Sequence, residues 1–289
     1  MGRFHRHADG TVHQHEHADA HADDHADDHG HGHGHDHDDG HEHDNGHRDV
    51  GDHTGYPETG TDRVAVLETI LAENDRTADR NRADFERAGV VTVNLMSSPG
   101  AGKTTLLKRT ISELSGRARL GILEGDIATS LDADELDGLG APVSLINTSA
   151  GFGGECHLDA TMVRSGLGRL PLADLDLLII ENVGNLVCPA EFDVGQAARA
   201  MVYAVTEGEE KPLKYPVMFR ACDMVVINKI DLLPHLDFDL DRFLANLRAV
   251  NPGAGLVQLS ARSGAGIRQW CDWLVGLQAR SAVAASDRS

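Results

Sequence analysis

The stretch VVTVNLMSSPGAGKTT, residues 90–105, decides the fold of this chain. Its first seven residues, 90–96, are mostly apolar and predict a buried strand, and the LLKRTISEL that follows the stretch has the apolar spacing of a helix. Between them, residues 97–105 combine two glycines with a Lys-Thr pair. Strand, glycine-rich loop, Lys, Thr and helix in this order predict a P-loop, in which backbone N–H groups surround the phosphates of a nucleotide.

The residues of this loop have distinct expected roles in binding a nucleotide. Lys103 is expected to reach the β and γ oxygens of the phosphates, and Thr104 is expected to ligate Mg²⁺. The loop departs from the consensus G-x-x-x-x-G-K-[ST] at its first position, which is Ser97. The candidate phosphate-binding residues are Gly100, Ala101, Gly102, Lys103, Thr104 and Thr105.

A second motif selects the base. Residues 223–228 predict an apolar strand that runs into Asn-Lys-Ile-Asp at 228–231. The carboxylate of Asp231 can accept hydrogen bonds from both the ring N–H and the exocyclic amine of guanine, an edge that adenine does not present. The motif therefore favours GTP over ATP. The expected guanine site consists of Asn228, Lys229 along the face of the ring, Asp231, and the backbone at Ser260 and Ala261.

Two carboxylates follow predicted strands and are candidates for a Mg²⁺ site. Asp126 comes after a strand that begins at Leu120, and Glu181 comes after the apolar run 175–180. We assign both to the Mg²⁺ shell, directly or through water; the alternative is that they merely end strands, as acidic residues often do in α/β sheets. Gly184 falls where its backbone N–H would meet the γ-phosphate. Because no Gln follows Gly184, slow intrinsic hydrolysis is predicted.

A Cys-His pair and a distant Cys form a candidate transition-metal site. Cys156 and His157 end the run GFGGECH, which opens a helix predicted at 157–169, and Cys188 lies four residues beyond Gly184. Two thiolates and an imidazole are one ligand short of a tetrahedral site, which a symmetric dimer, a water or an exchangeable ligand would complete. The alternative is two buried thiols and a capping His.

The position of Cys188 suggests a mechanism. If GTP holds residues 181–184 in one arrangement and hydrolysis releases them, Cys188 moves relative to Cys156 and His157, so that the metal is held in one state and passed on in the other. The other two cysteines, Cys222 and Cys271, are interpreted as core thiols.

The N-terminal region has a different composition from the rest of the chain. Residues 1–53 hold 16 of the 18 histidines, with 14 acidic residues against 3 arginines and few large apolar side chains, and are predicted to be disordered. Imidazoles in His-x-His spacing on a Gly- and Asp-rich chain predict transition-metal binding. The alternatives are a tail that is merely solvated and an affinity tag, although tags are uniform His runs. The candidate ligands are His31, His33, His35, His37, His41 and His43.

The whole pattern predicts a tail at 1–60 followed by one P-loop domain at 61–289. We expect an α/β fold, a mostly parallel sheet with helices on both faces, entered through a helix at 61–88 that stops at Gly89. The net charge of −20 gives no support for a nucleic-acid or anionic-membrane partner. No signal peptide or membrane span is apparent and the cysteines are widely spaced, so a cytoplasmic location is expected.

Six segments of the chain resemble one protein family. They are NLMSSPGAGKTTL, EGDIAT, GECHLDA, ENVGNLVCP, VINKIDLL and LSARSG, within residues 61–279. Together they resemble the HypB family of hydrogenase nickel-incorporation GTPases, which belongs to the metal-chaperone P-loop GTPases with the urease accessory GTPase.

The resemblance implies GTP hydrolysis coupled to nickel delivery into the large subunit of [NiFe] hydrogenase, with other nickel-insertion accessory proteins as partners. It also implies a homodimer promoted by nucleotide or metal, and nickel or zinc at Cys156, His157 and Cys188. Some members carry an N-terminal Cys-x-x-Cys-Gly-Cys nickel site, which is not carried over because no Cys precedes Cys156. Others have His-rich N-termini thought to store nickel, which this tail resembles.

Two rival functions remain open at this point. The chain could be a nickel store in which the P-loop is vestigial, or the same GTPase could serve urease or a cobalamin enzyme. The GECHLDA and ENVGNLVCP segments favour hydrogenase.

Overall fold

The computed structural model describes residues 4–6, 12–14, 59–126, 136, 138–148 and 157–286. The chain divides into two compact units, Met1–Gly55 and Tyr56–Ser289. In the first unit, strand β1 (Phe4–Arg6) pairs antiparallel with β2 (Val12–Gln14). These six residues leave the predicted disorder of the tail untested, since its other residues up to 58 lie outside the described part of the chain.

A sheet of seven strands organises the described part of the second unit. Its order is β5-β4-β6-β3-β7-β8-β9, and every neighbouring pair is parallel, which confirms the predicted α/β sheet. Because the strands are parallel, their carboxyl ends meet at one edge of the sheet, where α/β proteins bind ligands. The strands are β3 (Val91–Ser97), β4 (Leu120–Asp126), β5 (Val143–Asn147), β6 (Leu177–Glu181), β7 (Ala198–Ala204), β8 (Met224–Asn228) and β9 (Gly255–Gln258).

Helices cover both faces of the sheet, as predicted. Alternate residues of each strand point to opposite faces, so Leu177 and Ile179 pack beneath α2 and α7 while Leu178 and Ile180 pack beneath α1 and α3. Helices α5 and α6 share the second face. The helices are α1 (Thr59–Ala88), α2 (Lys103–Leu114), α3 (Ala160–Leu167), α4 (Lys211–Lys214), α5 (Pro216–Arg220), α6 (Leu240–Val250) and α7 (Ile267–Ser286).

The strand before the P-loop is confirmed with a shift of one residue, since β3 is Val91–Ser97 and all seven of its residues are buried. The predicted first helix is confirmed as α1. It ends at Ala88, directly before Gly89, which has a left-handed φ of 69°. The helix predicted to open at His157 was wrong in its start. It begins at Ala160, because the side chain of Asp159 caps it by accepting a hydrogen bond from Met162 N at 2.7 Å.

The central strand β7 was not predicted. It pairs with the P-loop strand β3 on the side opposite β6, although its sequence ARAMVYA carries three alanines and an arginine and gives a weak strand signal. The strand forms because of its packing in the folded sheet, where all its residues except Arg199 are buried. Among the described residues, no helix is long and apolar enough to cross a lipid bilayer.

Candidate functional site

The P-loop connects β3 to α2 at the carboxyl edge of the sheet. Gly100 and Gly102 adopt left-handed φ values of 72° and 97°, conformations that favour glycine. The ammonium of Lys103 donates a hydrogen bond to Ser97 Oγ at 2.8 Å, and Ser97 Oγ donates to the backbone oxygen of Ser98 at 2.6 Å. The serine that departs from the consensus thus holds the lysine in the loop. Of the other predicted phosphate ligands, Thr104 and Thr105 lie in the first turn of α2.

Asn228 joins the P-loop to the base-selecting segments. Its Nδ2 donates to Ala101 O at 2.8 Å, and its Oδ1 accepts from Lys229 N at 2.7 Å and from Ala261 N at 3.0 Å. A Cβ at Gly102 would lie 2.6 Å from Asn228 Nδ2, so glycine is required there by this close approach as well as by its φ. One buried amide therefore fixes three loops relative to each other.

The predicted guanine-binding residues are brought together at the ends of β8 and β9. Asp231 Oδ1 accepts a hydrogen bond from Ser260 Oγ at 2.5 Å, which orients the carboxylate. Lys229 has a left-handed φ of 63° and its Nζ donates to Gly100 O at 2.7 Å, so its side chain crosses to the P-loop. A planar base would lie against such an extended chain with its edge toward Asp231.

The candidate Mg²⁺ residues lie at the ends of β4 and β6. Glu181 ends β6 and is 4% exposed, and its register partner on β4 is Glu124, which is 2% exposed and was not predicted. Both residues continue the side of the sheet that packs against α2, whose first turn carries Thr104. Asp126 is the last residue of β4, but its side chain lies outside the described residues. Carboxylates on the side of the sheet that packs against the helix of a P-loop threonine offer the oxygen ligands that Mg²⁺ prefers.

Gly184 lies directly against the P-loop. A Cβ on this residue would be 3.1 Å from both the N and the Cα of Pro99, which is tighter than ordinary packing allows. A side chain here would push the segment after β6 away from the phosphate-binding loop. The geometry is that of a backbone able to contact a phosphate held in the loop.

Glu207 also contacts the P-loop and was missed. Ser98 Oγ donates a hydrogen bond to Glu207 Oε2, while Glu207 Oε1 accepts from Ala204 N at 2.9 Å and Lys211 Nζ lies 3.8 Å away. Glu207 follows β7, the strand whose sequence signal was weak, so its place at the site edge was not visible in the sequence.

The described parts of the candidate transition-metal site lie next to the other face of the sheet, where Leu158 and Ala190 pack. The ring of His157 packs against Phe192 with centroids 4.0 Å apart, and the next residue, Leu158, donates its N–H to Asn182 Oδ1 at 2.9 Å. Cys188 begins a 3-10 helix, Cys188–Ala190. These contacts bring the His157 segment beside the chain that carries Cys188.

Not all of this candidate site is described. Cys156, the side chain of Cys188 and the six candidate tail histidines lie outside the described residues. Among side chains that are described, no group of three His, Cys, Asp or Glu residues has metal-binding geometry. The Cys156, His157 and Cys188 assignment therefore stays a prediction.

The remaining cysteines are core thiols, as predicted. Cys222 and Cys271 are 4% and 0% exposed, and Cys222 Sγ donates to Met218 O at 3.1 Å. Burial raises the pKa of each thiol to about 12, which keeps both protonated near neutral pH. A protonated, enclosed thiol is a poor metal ligand.

Helix α1 binds the chain a few residues after His157 and a few residues after Cys188. Asn74 Oδ1 accepts from Ala160 N at 2.9 Å, and its Nδ2 donates to Asp193 O at 2.8 Å. Asn81, which is fully buried, donates to Ala160 O at 2.8 Å and to Val194 O at 3.2 Å. No motif marked these asparagines; the only signal was two polar residues seven apart on a predicted amphipathic helix.

Comparison with known proteins places residues 91–258 in the family described as CobW/HypB/UreG, nucleotide-binding domain. The hydrogenase maturation factor HypB of Azotobacter vinelandii is 50% identical over 211 residues, 73% of this chain and 68% of that protein. A crystal structure of HypB from Archaeoglobus fulgidus matches with a TM-score of 0.66 and 38% identity over 72% of this chain and all of that one. A structure of HypB from Helicobacter pylori in complex with nickel matches with a TM-score of 0.68 and 32% identity, covering 72% of this chain and 96% of that one.

Proposed function

The chain belongs to the HypB group of the CobW/HypB/UreG family, and from this premise we propose that it is a GTP-hydrolysing nickel metallochaperone. It stores nickel and delivers it into [NiFe] hydrogenase during maturation of that enzyme. One observation carries the proposal. The short chain after β6 contacts both candidate sites. Gly184 packs against Pro99 of the P-loop, and Asn182 accepts a hydrogen bond from Leu158, the residue after the candidate ligand His157.

The nucleotide half of the proposal assigns GTP and GDP to the cleft between the P-loop and the loops after β8 and β9. Asp231 selects guanine, and the bond from Ser260 holds its carboxylate in place for the base edge. On binding, the phosphates take over the ammonium of Lys103 from Ser97 Oγ, 2.8 Å away. The backbone N–H groups of residues 100–105 surround the same phosphates.

Mg²⁺ fits the carboxylate set at the ends of β4 and β6. Thr104, Asp126 and Glu181 would hold it, directly or through water, and the newly found Glu124 adds a second buried carboxylate beside Glu181. When bound, the ion neutralises charge on the β- and γ-phosphates. The protein itself orients the phosphates through the P-loop and excludes water with the buried ends of the strands.

Nickel is the cargo, and Cys156, His157 and Cys188 are its proposed ligands in the GTPase domain, where zinc can compete. The donor set fits a borderline ion, since it offers two thiolates and an imidazole. The nickel named in the Helicobacter pylori structure supports nickel as the natural ion. The proposed store is the tail, residues 1–60, with His31, His33, His35, His37, His41 and His43 among its ligands.

A homodimer promoted by nucleotide or metal is proposed to complete the three-ligand site. Val187 and Val217 are 55% and 56% exposed, and α5, which carries Val217, packs against the 3-10 helix that begins at Cys188. Exposed apolar side chains beside a ligand segment favour a protein partner there. The further proposed partners are the hydrogenase large subunit and nickel-insertion accessory proteins, in the cytoplasm.

Substitution of the P-loop lysine tests the proposed function. A Lys103→Ala chain is expected to lose GTP hydrolysis by at least about 100-fold, because the lysine stabilises charge on the transferring phosphoryl group, and to lose hydrogenase maturation in cells that lack the native gene. Nickel binding by the tail is expected to be retained. Lys108→Ala, on the same helix outside the loop, is the matched control and should support maturation. Full maturation with Lys103→Ala would instead favour a nickel store with a vestigial P-loop.

A further inference from the structure

Consecutive residues at the end of β6 serve opposite faces of the sheet. Glu181 continues the face of Ile179, which packs beneath α2 and the P-loop. Asn182 contacts the other face, where its Nδ2 donates to Asn94 Oδ1 at 3.2 Å. Because side chains alternate in this way, a shift of the backbone at the end of β6 moves side chains on both faces of the sheet.

Asn182 links the phosphate-facing chain to the His157 segment through a single atom. Its Oδ1 accepts hydrogen bonds from Val183 N and from Leu158 N, each at 2.9 Å. Val183 precedes Gly184, which abuts the P-loop, and Leu158 follows His157. Asn182 and Leu158 are 1% and 0% exposed, so water cannot readily replace either bond.

The same segment is anchored on its other side to α1. Ala160 is held through both its N and its O by the buried side chains of Asn74 and Asn81. The stretch from His157 to Ala160 is therefore held at two points. One support is the long helix α1, and the other is the end of β6, which meets the P-loop through Gly184.

We propose that Asn182 is a positioning residue that transmits movement of the Val183–Gly184 chain to His157 on the far face of the sheet. The inference rests on the proposed function and gives it a physical link. When Gly184 shifts with the state of the γ-phosphate, Asn182 moves with Val183 and carries Leu158 N with it. Ala160 stays fixed to α1, so the displacement is concentrated at His157 and opens or closes its distance to Cys188.

The test compares nickel affinity in two nucleotide states, in the full chain. Nickel is supplied from a chelator buffer, and binding is followed by the near-ultraviolet absorption of thiolate bound to nickel, which the cysteine-free tail cannot give. The quantity of interest is the ratio of the two affinities, with GDP and with a non-hydrolysable GTP analogue. The native chain is expected to give a ratio of about 10, within the usual range of allosteric coupling, and Asn182→Ala is expected to bring it close to 1.

Asn74→Ala is the matched control, because it removes a buried asparagine that binds the same segment from α1, while Asn81 still holds Ala160 to α1 through the Ala160 oxygen. It is expected to weaken nickel binding in both states by the same factor and to leave the ratio at the native value. A merely structural role for Asn182 would make the two variants behave alike. An Asn182→Ala chain with the native ratio, or an Asn74→Ala chain that also loses it, would overturn the proposal.

Hydrogen exchange of the native chain provides a test that needs no variant. The amides of Leu158 and Val183 are expected to change protection together when GDP is replaced by the GTP analogue. A change at Val183 with none at Leu158 would overturn the link through Asn182 and leave the proposed function standing. A native affinity ratio of 1 would instead overturn both the link and the coupled release of nickel.

Discussion

The two sides of β6 are built in different ways. On the nucleotide side, the contacts that order the site run between motif residues, as when Asn228 bonds Ala101 and Ala261, or Ser260 bonds Asp231. On the side of the proposed nickel site, called the metal side below, α1 orders the His157 segment by binding Ala160. The α1 residues that bind it, Asn81 and Asn74, are 79 and 86 positions away from Ala160 in the chain. Residues of the nucleotide-binding motifs therefore position each other, whereas the His157 segment is positioned by a helix outside any motif.

The largest expected effect comes from the base-selecting carboxylate. Asp231→Asn should weaken GTP binding by about 10- to 150-fold, because a charge-assisted hydrogen bond to guanine is lost. Xanthosine triphosphate, whose base has a carbonyl where guanine has its amine, should bind the variant better than it binds the native chain, since the new amide can donate to it. Competition among GTP, ATP and xanthosine triphosphate measures this.

Asp237→Asn, an exposed change nearby, is the control for that experiment and should keep the native preference. If Asp231→Asn left the preference for GTP intact, the assignment of the base site to the end of β8 would be wrong.

A pair of glycines tests the internal order of the nucleotide side. Both Gly100→Ala and Gly102→Ala place a Cβ at a left-handed φ, but only the Cβ at Gly102 meets Asn228 Nδ2, at 2.6 Å. Gly102→Ala should therefore reduce GDP affinity by about 10-fold more than Gly100→Ala, the effect of an overpacking strain of 1–3 kcal/mol. Calorimetric titration with GDP checks this, and equal losses would show that the Asn228 link does not order the loop.

A second pair of glycines tests the scaffold of the metal side. A Cβ at Gly195, φ 90°, would lie 2.6 Å from Ala78 O and 2.8 Å from Asn81 Cβ, whereas a Cβ at Gly116, φ 75°, would meet nothing within 4 Å. Gly195→Ala should displace α1 and lower the free energy of unfolding by about 1–3 kcal/mol more than Gly116→Ala. Thermal unfolding measures that difference.

Because the Cβ added at Gly195 would meet α1 and not the P-loop, Gly195→Ala should also weaken nickel binding at the thiolate site while GDP affinity stays near native. A loss of GDP affinity as large as the loss of nickel affinity would break the distinction between the two sides.

The parts of the structure that the sequence predicted are those in which local pattern and burial agree. The run before the P-loop is mostly apolar and is buried on both faces, as expected of a central parallel strand, and Lys103 and Asn228 fall where their motifs require. β7 has equally buried positions, but its alanines carry no strand preference, so only the finished sheet reveals it and the Glu207 that follows.

Several contacts around the two metal-binding regions could not be predicted from the sequence. The helix start at Asp159, the partnership of Glu124 with Glu181 and the bonds from Asn74 and Asn81 all depend on strand register or on packing between distant segments. Spacing along one chain does not contain that information. Asn182 lies inside a recognisable segment, yet its role follows only from the donor that the fold brings to it, Leu158 N.

The central claim is that nucleotide state sets the affinity of the Cys156, His157 and Cys188 site for nickel. The most direct measurement is the dissociation constant for nickel, followed by thiolate-to-nickel absorption in the full native chain, first with GDP and then with a non-hydrolysable GTP analogue. The account predicts affinities that differ by about 10-fold between the two states. Equal affinities in both states would contradict it.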